Sequence, residues 1–180
     1  MKFHTKTICT FFVVIFVFIS KGFSTGAGIQ AGIVPGVLIN KDEVPSHKLT
    51  TVLTGTIKSG RLPLVVGFGF EAGQTLTDFS YGIKGFCDYW LIENQLQNTW
   101  NFFSGLGFSG SIQTYDFQDF NFEVSARAFV GMNWLFYDHF LEFYVQQNIA
   151  PTYIKSTNDL VQKNNYLINF PFEAGLRMHY

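Results

Sequence analysis

The chain has 180 residues, enough for one domain, and it carries 12 basic and 13 acidic residues. That near balance excludes the basic surface that nucleic-acid binding requires. Aromatic residues make up 18% of the chain, with 22 phenylalanines, so a large apolar area has to be hidden in some regular way.

The first 24 residues open with a positive stretch, "MKFHTK", and an apolar run from Ile8 to Ile19, followed by small residues. This is the three-part layout of a secretory signal peptide. The run is too short for a membrane-spanning helix, which needs about 20 apolar residues. Cleavage is expected after Ser24, with Ala27 as a second possibility. It would remove Lys2, Lys6 and Lys21 and no acid, leaving 9 basic and 13 acidic residues, a net charge of −4. Cys9 would leave too, so Cys87 would remain alone, without a disulfide, as a small hydrophobe in a strand.

From residue 25 onward no run of 18 apolar residues exists. Apolar side chains instead recur at every second position, the period of a β-strand. In chain order the segments run Gly26 to Ile39, Lys48 to Lys58, Leu62 to Gly73, Phe79 to Ile92, Thr99 to Ile112, Asn121 to Phe136, Phe140 to Ile154 and Asn165 to Tyr180. Pro35 has no backbone donor, so the first is expected to end or bulge there. In the last, Tyr166, Ile168, Phe170, Phe172, Ala174, Leu176, Met178 and Tyr180 share one face.

Long polar connectors ("NKDEVPSH", "GQTLTD", "QTYDFQDF", "KSTNDLVQKN") alternate with shorter ones ("SGR", "ENQLQN", "YDH"). Eight antiparallel strands joined in this way form an up-and-down barrel. None of the charged residues falls on the apolar faces. Lys58, Lys84, Arg127, Arg177, Glu71, Asp88, Glu123, Glu142 and Glu173 lie on the opposite faces, and Gln147 is the one strongly polar residue on the apolar set. A soluble barrel keeps apolar side chains inside, whereas a membrane barrel turns them to lipid and keeps a polar interior. Glycines beside paired charges suit the narrow lumen of eight strands. The expected fold is therefore all-β, an eight-stranded antiparallel transmembrane barrel spanning residues 25–180.

Four inward bases nearly balance five inward acids, which favours a plug of ion pairs over a pore, because a buried unpaired charge costs several kcal/mol. The candidates are Glu142, Arg177, Glu71, Lys84, Asp88, Glu123, Arg127 and Glu173. Joining Ile154 to Asn165 as opposite residues fixes partner numbers at a sum of 319, which sets Glu142 opposite Arg177. Trp90, Trp100 and Trp134 are expected in an aromatic girdle by the short connectors, with Tyr81, Phe122, Tyr153 and Tyr166 by the long ones.

No metal spacing, nucleophile elbow or phosphate loop is present. His47 with Ser46 and Asp42 is the only set that could serve a lipid-modifying enzyme, and those residues are ordinary turn formers. No cofactor and no catalytic residue is expected.

The tail "EAGLRMHY" is similar to the C-terminal assembly signal of bacterial outer-membrane proteins: a polar residue, then Gly, a hydrophobic residue and a terminal aromatic, here Glu173, Gly175, Met178 and Tyr180. In architecture and tail the chain resembles the small eight-stranded outer-membrane barrels of the OmpX, OmpA-barrel and OmpW type, including a spirochaete branch of them. That resemblance implies the cell outer membrane as location, and its lipid bilayer and the barrel-assembly machinery as partners. It implies a non-catalytic structural, surface-binding or narrow-channel role. OmpW-like passive transport of small apolar molecules is the alternative, and lipid modification a further one.

Overall fold

The computed structural model describes residues 25–39, 47–74, 79–97, 99–114, 119–156 and 165–180. The proposed signal peptide, residues 1–24, lies outside them. The strands are β1 (Thr25–Ile39), β2 (His47–Ser59), β3 (Leu64–Gln74), β4 (Phe79–Gln97), β5 (Trp100–Thr114), β6 (Phe120–Phe136), β7 (Leu141–Ser156), β8 (Asn165–Asn169) and β9 (Phe172–His179). Each pairs antiparallel with its neighbours, and β8 and β9 form one stave lying between β7 and β1. With β1 also paired to β2, the sheet closes into an eight-stave barrel. Closure leaves no unpaired strand edge, the condition for backbone in lipid.

The staves of β1 to β7 hold 11 to 19 residues each, enough to cross a bilayer, which takes about 9–11. The polarity is inverted relative to a soluble barrel. Phe70 and Phe108 are about 70% and 69% exposed on the outer wall, while Glu142 and Arg177 are at 0% and 1% inside.

Four details depart from the sequence expectation. Pro35 neither ends nor bulges β1; it stays in register opposite Leu49 of β2. The missing donor instead opens the other ladder, where pairing of β1 with the eighth stave skips residues 34–35 and 170–171. The eighth stave is split at Phe170 and Pro171, although both halves keep the same registers with β7 and β1. The connector "ENQLQN" is largely strand: β4 runs on to Gln97 through a register shift between Trp90 and Ile92. Trp90 is not in the outer girdle. It points inward, 3% exposed.

Trp100 and Trp134 do sit outward at the short-connector end, paired across β5 and β6 with rings 4.4 Å apart, edge to face. Beyond them, Tyr137, Asp138 and His139 turn the chain with φ of 50°, 56° and 71°. Asp and His are among the non-glycine residues that accept this left-handed region.

Candidate functional site

Among the described residues, polar chemistry is concentrated in the barrel interior, where it is layered along the axis. At the short-connector end, Glu142 is a hub. Its carboxylate accepts from Asn133 Nδ2 at 2.7 Å and lies 3.2 Å from Arg177 Nη1, 2.9 Å from His179 Nε2 and 3.4 Å from Lys58 Nζ. Glu142 and Arg177 are directly opposite residues in β7 and β9, whose partner numbers sum to 319. Lys58 also reaches Glu93 at 3.2 Å. Its ammonium stands 3.8 Å from the centre of the Trp90 ring, and Arg177 lies 3.7 Å over Tyr144.

The middle layer is built on Arg127. Its Nη2 meets Glu173 at 2.6 Å, Asp88 at 3.3 Å and the Asn148 side-chain oxygen at 3.2 Å. Gln146 and Asn148 donate to the same Glu173 oxygen at 2.7 and 3.0 Å. Toward the long-connector end, Lys48 binds Glu123 in a very short contact and donates to Gln113 at 2.7 Å. Gln113 in turn donates to Glu71 at 2.6 Å. Lys84 also faces this interior, at 9% exposure.

An apolar cluster fills the remaining interior: Val65, Phe86, Trp90, Phe103, Phe129 and Tyr144. Trp90 stacks on Phe103 with ring centres 3.9 Å apart. Eight staves leave room only for side chains, so large rings need small neighbours. Phe86 pairs across the ladder with Gly67, Phe129 with Gly105, Phe103 with Gly131 and Tyr144 with Gly175. A Cβ at each of these glycines would strike the facing ring.

All eight interior ion-pair candidates read from the sequence thus point inward and fall into these layers. Lys48 and His179 also join them, and the exposed Glu93 reaches them through Lys58, although none of the three is among the interior ion-pair candidates read from the sequence. For Lys48 and His179 the alternation itself held the signal, since both fall on the inward parity of their strands. Of the tail residues, Glu173 and Gly175 face inward, whereas Met178 and Tyr180 face outward, 43% and 70% exposed. Of the His47, Ser46 and Asp42 set, Asp42 and Ser46 lie outside the described residues and His47 opens β2. Among the described residues no group of three His, Cys, Asp or Glu is placed to hold a metal ion.

The outer wall holds two further features. Gln147, exposed on the apolar face, donates to the carbonyls of Phe170 and Pro171 at 3.3 and 3.2 Å. It serves the backbone where the eighth stave is interrupted. A trough of about 690 Å³ crosses β2 to β5, lined by residues that include Thr51, Leu53, Phe70, Ala72, Tyr81 and Ile83.

A closed eight-stave barrel with an apolar wall and a charged interior has the build of a membrane-spanning barrel. In keeping with that class, the chain is similar to the crystal structure of Neisserial surface protein A (NspA), with a TM-score of 0.54 and 11% identity over 87% of this chain and 97% of that one. At that identity the likeness is one of fold. No protein-family model matches the chain. No curated protein matches it.

Proposed function

We propose that the chain is an integral outer-membrane β-barrel protein without catalytic activity, whose role is structural or surface-binding. The signal peptide over residues 1–24 would deliver it, the tail residues Glu173, Gly175, Met178 and Tyr180 would be read by the barrel-assembly machinery, and the outer-membrane bilayer would be its solvent.

The observation that carries the reading against a channel is the filled interior. Glu142, Asp88, Arg127, Glu173, Arg177, Phe103 and Tyr144 are all at 0–2% exposure, so charged pairs and rings occupy the axis where a pore would run. With the lumen filled, contacts with other molecules fall to the long connectors and the wall. Wild-type protein in planar bilayers should give no steady single-channel conductance, and cell fractionation with heat-modifiable gel mobility should find it folded in the outer membrane. Stable open channels would refute the closed reading, and a soluble periplasmic protein would refute the membrane one.

A second reading, passive movement of small apolar molecules through the wall, is favoured by one observation. Three prolines, Pro35, Pro151 and Pro171, lie in adjacent staves around the interrupted β8–β9 seam. Uptake of a fluorescent apolar probe into liposomes bearing the protein tests it.

A further inference from the structure

The trough on the wall follows from side-chain size in two neighbouring rows of outward residues. Cross-strand partners Thr51, Ala72, Tyr81 and Thr114 form the row nearer the long connectors. Leu53, Phe70, Ile83 and Ile112 form the next row inward along the axis. The second row is bulky throughout. The first has two short side chains in succession, Thr51 and Ala72, so the surface sinks there, with Phe70, Ile83 and Tyr81 standing at its margin. Phe120 closes the far end. The one polar side-chain group at the short-residue end is already satisfied, since Thr51 Oγ1 donates to the Ala72 carbonyl at 3.2 Å.

We propose that this trough is a binding site for the hydrocarbon chain of a membrane lipid. The proposal rests on the membrane reading and goes beyond it by naming a fixed site and its ligand. Three features select an acyl chain. The trough lies within the apolar wall, where lipid is the surrounding solvent. Its volume of about 690 Å³ is that of a ligand pocket, whereas the rest of a lipid-facing wall needs only transient contacts. It is also concave. A second barrel presents a convex wall that would bridge the margin and leave the floor empty, while a flexible chain follows the floor from Ile112 to Thr51. Each buried methylene contributes about 0.8 kcal/mol where water is the alternative. In lipid that gain is absent, so retention comes from packing against Phe70, Ile83 and Tyr81.

The test reconstitutes the full chain in vesicles of phosphatidylethanolamine and phosphatidylglycerol that contain a lipid with a diazirine in one acyl chain. After illumination, adducts are mapped by peptide mass spectrometry. The expected result is several-fold enrichment at Thr51, Leu53, Phe70, Ala72 and Ile83 over Ile29, Ile149 and Leu176 on other staves. Ala72→Trp, which fills the floor, should remove that enrichment and leave the other adducts and the heat-modifiable mobility unchanged. Even labelling around the barrel, or enrichment that survives Ala72→Trp, would overturn the site. Protein–protein adducts through Phe70 would assign the trough to a second copy and also overturn it. A protein that takes up no label anywhere would overturn the membrane reading along with the site.

Discussion

At the scale of single residues, the interior depends on charges that have no water to fall back on. Glu142 answers Arg177 and Lys58 together. Glu142→Gln would leave a guanidinium at 1% exposure without its carboxylate. The expected loss in unfolding free energy is about 3–5 kcal/mol, the cost of breaking a buried pair by one partner. Arg177→Met alone should also destabilise, but the double variant should lose less than the sum of the two. Urea unfolding in lipid vesicles, analysed as a double-mutant cycle, checks this; full additivity would deny the coupling. Glycine tells the complementary story. A Cβ on Gly131 would meet the Phe103 ring and the Val145 carbonyl. Gly131→Ala should therefore cost about 1–3 kcal/mol as overpacking, and Phe103→Leu in the same chain should recover part of the loss. The parity of Glu142 and Arg177 is visible in the sequence because charge and alternation coincide. The inward course of Phe86, Phe103 and Trp90 is harder to see, because a large ring on the polar parity reads as an exception. Its rule is cross-strand, a ring facing a glycine, with Gly105 lying between Trp90 and Phe129, and it appears only once the register is known.

At the scale of elements, alternation located every stave, because one residue of slip would bring charges to the lipid face. What alternation could not locate was where strands are interrupted or prolonged. Residues 93–97 are polar apart from Leu96 and read as a connector, yet Glu93, Asn94, Gln95 and Gln97 pair with the start of β5 after shifts at Leu91 and Leu96, where water at the barrel mouth tolerates them. Pro171 reads as one more outward-inward step, yet it brings no N–H to the ladder and the stave is interrupted there, while its own carbonyl still accepts from the Asn148 amide at 2.8 Å. Gln147 donates to the Phe170 carbonyl and adds to the donors of the Pro171 carbonyl, which accounts for a polar side chain on the apolar wall. Gln147→Leu should make the wall more apolar and the protein less stable, by about 1–3 kcal/mol for the Phe170 carbonyl that loses its donor. Hydrogen exchange should quicken at the amides of Asn148 and Phe170, which bond to Pro171 and Pro35 carbonyls at 2.8 Å. An unchanged or raised stability for Gln147→Leu would show that the seam does not rely on it.

At the scale of the whole molecule, the last residues divide between the packed interior and the exposed end of the closing stave. Glu173 and Arg177 are part of the packed interior, so their loss would weaken the folded barrel itself. Tyr180 is different. It lies past the end of β9, and its side chain is 70% exposed on the outer face. Little of its side chain is buried, so its expected contribution to the folded state is small, on the order of the 0.5 kcal/mol by which most surface substitutions move stability. A role in assembly, as the resemblance of the tail implies, would act before the barrel closes. The two roles separate in one variant. Tyr180→Asp refolded in detergent should keep the wild-type unfolding midpoint, whereas in cells its outer-membrane level should fall, with the remainder degraded or aggregated in the periplasm. Normal levels in the membrane would remove the assembly role. A large loss of stability in detergent would instead make Tyr180 a structural residue of the closing stave, joined to the wall more firmly than its exposure implies.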